Sequence, residues 1–401
     1  MKKWQVINGN NIDILKEYPD NHFDSIVTDP PYGIEFLGKD WDSNTGAMET
    51  WQECFRVLKP GGHMLAFSAA RTYHHLATNV ESAGFEIRDQ LMWIYASGFP
   101  KAQDLGKAIQ KRQGVEKTRE LTYYEKGASR AFACRNKSNG DQKALGNGVD
   151  TIPTSPEALE WSGWKTALKP AHEPIVMARK PFSGSCVDNV LQWGTGAMNI
   201  DASRVEYADG ADKDSIVERV KKYPESFNGL ETATFADQQN NGYSSKQNAS
   251  DYEQGRYPSN VLGEIPEYQK YFYCPKVSRR ERHVGFDTKN IPAPFGDVKG
   301  AYVDGKRMAK VADDSQYAAS GNNHPTVKPV ELMKYLIKLV TPPGGRVLDP
   351  FNGSGSTGMA AVELGYDYVG CELDPDYVEI ANNRIAAWAE MHDTPARRLF
   401  D

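Results

Sequence analysis

Residues 28–33, TDPPYG, combine residue types that could act on an amino group. The two consecutive prolines stiffen the backbone and remove two N–H donors, so the carbonyl groups remain as acceptors. The Asp29 carboxylate and a proline carbonyl could then accept hydrogen bonds from one NH2 group, while the Tyr32 ring stacks on a planar base. Two such acceptors would stabilise positive charge on an exocyclic amine as it is alkylated. A strand-ending turn with a structural tyrosine is the alternative.

A glycine-rich segment, LDPFNGSGSTG, occupies residues 348–358 directly after the apolar run RVL. Gly353, Gly355 and Gly358 spell GxGxxG, and such glycines permit a tight turn and a close approach of backbone to ligand. The acid expected about 20 positions further on, to hold ribose hydroxyls, is Glu372. The pattern predicts a nucleoside-type ligand. It leaves NAD, S-adenosylmethionine and a turn that serves packing alone as alternatives.

A third segment, NHPTVKP at residues 323–329, precedes the apolar-periodic stretch PVELMKYLIKLV. The Thr326 hydroxyl and the Lys328 ammonium could contact the carboxylate of a ligand. The alternative is a helix start with proline at an early helical position.

Both ends of the chain alternate between strand and helix patterns. Runs such as HMLAFSA and YDYVGCELD indicate buried strands, whereas TYHHLATNVESAG and WQECFRVLKPGG (51–62) indicate helices ending at glycine. Strands separated by helices predict an α/β fold with a doubly wound, mostly parallel sheet. The segment EPIVMAR (173–179) could add an antiparallel edge strand beside FEIRDQLMWIYA (85–96).

The middle of the chain has a different composition. Residues 205–258 and 284–322 contain few aliphatic side chains and indicate loops or an inserted module. We therefore predict one catalytic domain, formed by residues 1–184 and 321–401, and a separate region with flexible loops at 185–320.

The net charge of the chain bears on whether it binds nucleic acid. The chain has 401 residues, 39% of them hydrophobic, and a formal net charge of -6, which argues weakly against a nucleic-acid partner. Local basic runs could still provide a DNA-binding face. These runs contain Lys101, Lys107, Lys111 and Arg112 in one case and Lys276, Arg279, Arg280, Arg282 and His283 in the other.

The five scattered cysteines form no CxxC pair, so we expect neither disulfides nor a bound metal. No apolar run could cross a membrane, and we expect a cytoplasmic protein.

Together, the three segments resemble the motifs of the amino-group DNA methyltransferases. Residues 29–32 resemble their DPPY catalytic motif, residues 349–355 their FxGxG cofactor loop, and residues 324–329 the motif that precedes that loop. The catalytic motif comes first and the cofactor loop last. This order is similar to the β group of these enzymes, in which the recognition domain lies between the two.

The resemblance implies a Rossmann-like, seven-stranded fold that binds S-adenosyl-L-methionine, with 185–320 as the target-recognition region. It implies that Asp29 and the Pro30 carbonyl hold the amine and that Tyr32 stacks on a flipped-out base. Asn10 stands where relatives often carry Asp near the cofactor adenine. The expected catalytic residues are Asp29, Pro30, Pro31 and Tyr32, and the expected cofactor-binding residues are Asn10, Pro325, Thr326, Lys328, Asp349, Phe351, Gly353, Gly355 and Glu372.

The resemblance favours the N6 amine of adenine in double-stranded DNA as the target. Cytosine N4 is the alternative, although its enzymes tend to carry Ser at the position of Asp29. Protein and RNA methyltransferases usually carry Asn there and place the cofactor loop first. An NAD-dependent oxidoreductase would leave DPPY unexplained, and a catalytically inactive DNA-binding relative is a further alternative. The resemblance also suggests a homodimer and a cognate restriction endonuclease as partners.

Overall fold

The computed structural model describes residues 4–34, 42–95, 102–114, 117–120, 149–168, 170–207, 209–222, 254–263, 277, 279–286, 302–303, 306–307, 322, 324 and 326–392. The chain forms two compact units. The first contains Met1–Tyr95, His172–Phe286 and Gly321–Asp401, and the second contains Ala96–Ala171 and Asp287–Ser320.

The described strands, in chain order, are β1 Trp4–Asn8, β2 Phe23–Thr28, β3 Leu58–Phe67, β4 Glu86–Ile94, β5 Lys117–Glu120, β6 Val149–Ile152, β7 His172–Arg179, β8 Val261–Gly263, β9 Tyr302–Val303, β10 Lys306–Arg307, β11 Arg346–Asp349 and β12 Asp367–Glu372. The described helices are α1 Asn11–Lys16, α2 Met48–Val57, α3 Tyr73–Ser82, α4 Leu105–Arg112, α5 Pro156–Glu160, α6 Cys186–Trp193, α7 Gly210–Lys222, α8 Arg279–Arg282, α9 Val330–Val340, α10 Ser356–Leu364 and α11 Pro375–His392.

The first unit is built on one eight-stranded sheet with the order β1-β12-β11-β2-β3-β7-β4-β8. All neighbouring strands pair in parallel except β7, which is antiparallel to both β3 and β4. The predicted α/β class with a mostly parallel sheet is confirmed. The predicted number of seven strands is wrong by one, because the short strand β8 extends the sheet beyond β4.

Two sequence predictions need correction in this sheet. EPIVMAR does pair antiparallel with β4, but it lies inside the sheet as β7 rather than at its edge. Residues 174–178 of β7 are all buried, which an interior strand covered on both faces allows. The helix predicted over residues 51–62 ends at Val57, and the remaining residues begin β3. Pro60 in this stretch could not continue a helix without the loss of a backbone hydrogen bond.

Apolar side chains cover both faces of the sheet. In β2, Ile26 packs into one buried cluster together with Trp51 of α2, while the next residue, Val27, packs into another together with Leu336 of α9. Successive strand residues point to opposite faces, so each strand joins two cores. This arrangement fixes the strands and leaves their ends free to carry the polar side chains described below.

The second unit contains α4, which packs beside α5, and the antiparallel pair β5 and β6. Side-chain caps begin both helices: Asp104 accepts from the Lys107 N–H, and Ser155 accepts from the Ala158 N–H. The unit boundaries differ from the domain boundaries predicted at 184 and 320. Residues 96–171 belong to the second unit, whereas β8 joins the first because it pairs with β4.

Among the described residues, no helix is both long and apolar enough to span a membrane.

Candidate functional site

The sequence-predicted residues meet at one edge of the sheet. Strands β1, β12, β11 and β2 are consecutive and parallel, so their carboxyl ends lie side by side. Asp29 directly follows β2, the glycine turn follows β11, and Glu372 is the last residue of β12. The carboxyl edge of an open α/β sheet is where such folds bind ligands. Two motifs more than 300 residues apart in the chain are therefore neighbours.

Asp349 connects the two motifs directly. Its Oδ1 accepts a hydrogen bond from the Thr28 hydroxyl at 2.7 Å and from the Phe351 N–H at 3.1 Å. Its Oδ2 accepts from the Thr357 hydroxyl at 2.6 Å. Burial raises the pKa of Asp349 to about 6, against the opposing effect of these hydrogen bonds. Both oxygens are engaged within the protein, so Asp349 braces the glycine turn against the end of β2.

Asp29 belongs to a cluster of four polar side chains. Its Oδ1 accepts from the Tyr32 hydroxyl at 2.8 Å, and its Oδ2 accepts from the Lys328 ammonium at 2.6 Å. Glu173, at the start of β7, places its Oε2 3.0 Å from the Tyr32 hydroxyl and 3.4 Å from the Lys328 Nζ. Lys328, predicted to contact a cofactor carboxylate, lies against the predicted catalytic carboxylate of Asp29, and its cofactor role stays a prediction.

The surroundings of this cluster favour a charged Lys328 and a neutral Tyr32. Burial lowers the pKa of Lys328, but the carboxylates of Asp29 and Glu173 outweigh that effect and raise it overall. The Lys328 Nζ also lies 4.9 Å from the centroid of the Phe67 ring, within cation–π range. Burial and the same two carboxylates hold the pKa of Tyr32 well above its ordinary value. Tyr32 therefore acts as a hydrogen-bond donor at neutral pH.

Asp42 fixes the backbone that follows the two prolines. This buried side chain accepts hydrogen bonds from the N–H groups of Tyr32 at 2.6 Å, Gly33 at 3.1 Å and Ile34 at 3.3 Å. Pro30 is buried and Pro31 half-buried beside them. Three converging donors hold this loop in one conformation, which orients the Tyr32 side chain toward Asp29 and Glu173.

The glycine turn has the backbone conformation that its sequence requires. Gly353 and Gly355 adopt φ angles of +53° and +82°, in the left-handed region that favours glycine. Glu372 accepts from the Gly353 N–H at 2.7 Å and from the Asp374 N–H at 2.9 Å, which sets the turn against the end of β12. Burial raises the pKa of Glu372 above its ordinary value. The Ser356 hydroxyl, at the start of α10, is buried without a hydrogen-bond partner among the described residues.

His324 packs over the glycine turn. Its Nε2 lies 3.0 Å from where a Cβ on Gly353 would be, so a larger residue there would displace the ring. Burial lowers the pKa of His324 to about 4, so the imidazole is neutral at pH 7 and its Nδ1–H can donate to the Thr326 carbonyl at 2.9 Å. Arg282 of the predicted basic run donates to the His324 carbonyl at 3.1 Å. The Thr326 side chain is exposed.

The remaining predicted cofactor residues differ in their setting. Asn10 is exposed, and its side-chain oxygen caps α1 by accepting from the Ile12 N–H at 2.9 Å. The ring of Phe351 is half-buried, with its centroid 5.7 Å from that of the Trp51 ring. Pro325 lies outside the described residues. The cofactor roles of all three stay predictions.

Sequence reasoning missed two residues of this site, Glu173 and Asp42. Glu173 was predicted only as the first residue of a strand. A charged residue that opens a run as apolar as PIVMA was the one available signal for it. Asp42 lies outside the DPPY segment, and its three backbone contacts leave no trace in residue spacing.

Comparisons with known proteins identify relatives of this chain. The sequence matches the family described as DNA methylase, of the N6 and N4 type, over residues 23–383. The type II methyltransferase M.HindIII of Haemophilus influenzae is 22% identical over 426 residues, covering 95% of this chain and 94% of the relative. The DNA adenine methyltransferase YhdJ of Escherichia coli is 35% identical over 99 residues, covering 24% and 32%. The PvuII DNA methyltransferase (cytosine-N4-specific) aligns structurally at 13% identity and a TM-score of 0.44, covering 95% and 86%.

Proposed function

The chain belongs to the DNA methylase family of the N6 and N4 type, and on this premise we propose that it methylates the N6 amine of adenine in double-stranded DNA. The methyl donor is S-adenosyl-L-methionine, as in the family. Asp at the first position of the DPPY segment favours adenine, and one relative is named a DNA adenine methyltransferase.

The observation that carries the proposal is the 2.7 Å hydrogen bond from Thr28 to Asp349. It joins the residue before Asp29 to the start of the glycine turn, so an amine acceptor and a nucleoside-binding turn lie on adjacent strands. A transfer enzyme needs its two reactants held this close because correct positioning accounts for a large part of the rate gain.

The glycine turn fits a nucleoside-type methyl donor. Gly353 and Gly355 leave room for close backbone approach, and the unpartnered Ser356 hydroxyl is a buried polar group that a ligand could satisfy. Glu372 accepts from the backbone N–H groups of Gly353, Leu373 and Asp374, and a carboxylate with about four lone-pair sites retains capacity for a ribose hydroxyl. When bound, the donor supplies an electrophilic methyl group on a sulfonium. The roles of these residues in binding it are part of the proposal.

Asp29 acts as the acceptor for the target amine. A carboxylate has about four lone-pair sites, so Asp29 can accept from the amine while it is bound to Tyr32 and Lys328. Its negative charge stabilises the positive charge that forms on the amine nitrogen as the N–C bond is made. The Pro30 carbonyl would accept from the second hydrogen of the amine, and the Tyr32 ring would stack on the base.

The base must leave the helix to reach this site. Inside a duplex the amine is paired and stacked, and extrusion of the nucleotide costs a few kcal/mol. The loop held by Asp42 would form one wall for the extruded base.

Charge points to the second unit as one DNA-contacting region. Residues 96–171 contain thirteen Lys and Arg against eight Asp and Glu, a formal charge of +5 in a chain whose total is -6. Positive charge in one region is the usual electrostatic footprint of nucleic-acid binding. Trp161 and Trp164 in this unit are 39% and 60% exposed and could contact bases or sugars. We propose that residues 96–171 contact DNA, in addition to the target-recognition region at 185–320.

Further partners follow from the same proposal. The relative M.HindIII is a type II methyltransferase, and we propose a cognate restriction endonuclease and a homodimer for this chain also. A bacterial DNA substrate would place the protein in the cytoplasm.

The decisive experiment is mass spectrometry of nucleosides from DNA that has been incubated with the protein and S-adenosyl-L-methionine. N6-methyladenine is the expected product, and the Asp29→Ala variant serves as the control. N4-methylcytosine without N6-methyladenine would overturn the choice of base. If neither N6-methyladenine nor N4-methylcytosine forms, the proposed function is overturned.

A further inference from the structure

The start of β7 brings a second carboxylate to the predicted catalytic aspartate. We propose that Glu173 is a positioning residue for methyl transfer, which shares the Lys328 ammonium and the Tyr32 hydroxyl with Asp29 and so keeps Asp29 available to the target amine. The inference rests on the proposed function, because it assumes that an amine binds at Asp29.

The contacts show a shared rather than an exclusive pairing. The Lys328 Nζ lies 2.6 Å from Asp29 and 3.4 Å from Glu173, and the Tyr32 hydroxyl lies 2.8 Å and 3.0 Å from the same two carboxylates. A single hydroxyl proton can serve only one carboxylate at a time. Glu173 therefore offers an alternative partner to both donors that hold Asp29.

Lys328 needs such an alternative because it cannot turn to water. Its side chain is 7% exposed, whereas those of Asp29 and Glu173 are 19% and 21% exposed. A buried ammonium without a carboxylate partner is strongly destabilised. If Asp29 were its sole carboxylate partner, the ammonium would neutralise the charge of Asp29, although lone pairs would remain on Asp29 for a hydrogen bond from the amine. With Glu173 present, the ammonium can move toward Glu173 as the amine binds.

The count of charges leads to the same conclusion. Two carboxylates and one ammonium, with Tyr32 neutral, give the cluster a formal charge of -1. That charge matches the single positive charge that passes from the donor to the amine nitrogen during the reaction. Without Glu173 the cluster would be neutral, and the positive charge would form beside an Asp29 whose charge is already neutralised by Lys328.

Glu173 is held firmly enough for this role. It lies in the β4–β7 ladder opposite Trp93, and the Tyr95 hydroxyl forms a hydrogen bond with its carboxylate. The next residue, Pro174, accepts from the Ser68 N–H at 2.9 Å. Both flanking strands thus fix the position of the carboxylate relative to Asp29.

The test compares kcat, measured at saturating donor and DNA, and donor affinity in three variants. Glu173→Gln should lower kcat about 10- to 100-fold, with little change in donor affinity, because Lys328 then pairs with Asp29 alone. Lys328→Met should also lower kcat, since it leaves two carboxylates without a cation. The double variant has Asp29 as the one charged group of the cluster and a formal charge of -1 again. Its kcat should exceed that of Glu173→Gln.

A purely structural role for Glu173 would make activity follow stability, because Glu173 and Lys328 are in contact and loss of one partner of a buried pair costs more than loss of both. Urea unfolding of each variant separates the two roles, since the inference expects kcat to change in folded protein whose donor affinity is unchanged. A folded, donor-binding double variant with no more activity than Glu173→Gln overturns the inference, as does a Glu173→Gln variant with wild-type kcat. If Glu173→Gln does not fold, the double variant is compared with Lys328→Met. A higher kcat in the double variant supports the inference, and an equal or lower kcat overturns it.

Glu86→Gln is the matched control. Glu86 is also paired with a cation in the β4–β7 ladder, with Arg179 at 2.7 Å, but lies at the other end of the two strands. It should retain wild-type kcat. If the inference alone fails, the wild-type protein still methylates DNA. If the proposed function fails, the wild-type protein itself methylates no DNA base.

Discussion

The ends of β2 and β11 are neighbours in one sheet, yet the protein uses their aspartates differently. Asp29, after β2, is partly exposed and paired with a lysine ammonium. Asp349, at the end of β11, is 2% exposed and accepts hydrogen bonds from two hydroxyls and a backbone N–H. The partly exposed carboxylate of Asp29 has lone pairs open to a ligand, whereas that of Asp349 is enclosed by the donors that fix the glycine turn.

The strongest way to break this comparison is Asp29→Ala. Methyl transfer should fall by about 10³-fold or more, because the amine loses the carboxylate that stabilises its developing charge. Donor affinity should change little, since the glycine turn and Glu372 lie on other strands. Radiolabelled methyl transfer and calorimetric titration of the donor measure the two effects. Turnover within a fewfold of wild type would show that Asp29 is not the acceptor.

The end of β12 should show the reverse pattern. Glu372→Gln should weaken donor binding about 10-fold, which corresponds to about 1.4 kcal/mol, and should lower kcat at saturating donor much less. Calorimetric titration and steady-state kinetics with varied donor are the measurements. Unchanged donor affinity would exclude Glu372 from the cofactor site.

Thr28→Val sharpens the comparison by removing the link between the two ends. The variant keeps the side-chain shape but removes one donor from the buried Asp349 carboxylate, which should cost about 1–3 kcal/mol of unfolding free energy. We also expect kcat to fall severalfold, because Asp29 is the next residue. Ser25→Ala is the control: it removes another buried hydroxyl contact of β2, 2.7 Å to Thr341, and should lower stability without lowering kcat.

Asp349→Asn tests the brace by pH. The pKa of Asp349 is raised from 3.8 to about 6 in the folded protein, so the folded state binds this proton more tightly than the unfolded state does. Stability from this group is therefore lost as pH rises from about 4 to 6, and the cost above that range is at most about 3 kcal/mol. The variant should gain stability relative to wild type over this interval, as measured by urea unfolding. A difference that does not vary with pH would contradict the raised pKa.

Motifs close in sequence carried most of what could be predicted. Asp29, Tyr32 and the glycines stand within short segments whose spacing restricts backbone geometry, and the alternation of strands and helices indicated which sheet edge they share. Glu173 meets Tyr32 across 141 residues of sequence, and a single chain contains no local pattern that records such a contact. The position of β7 inside the sheet was missed for the same reason, because strand order depends on pairing partners rather than on periodicity.

The direction of β7 determines which of its ends can serve the site. The other strands of the sheet arrive at the ligand-binding edge with their last residues, but β7 runs the opposite way and arrives there with its first. The connection that enters this strand therefore leads directly to Glu173, whereas the one that leaves it lies at the opposite end of the strand. Lengthening the chain just before His172 should lower kcat, whereas an insertion at the exposed residues Ser183 and Gly184, beyond the hydrogen bonds of Lys180, should be tolerated. The exit of β7 beyond Lys180 is thus a better place than its entrance to attach a tag or a further domain.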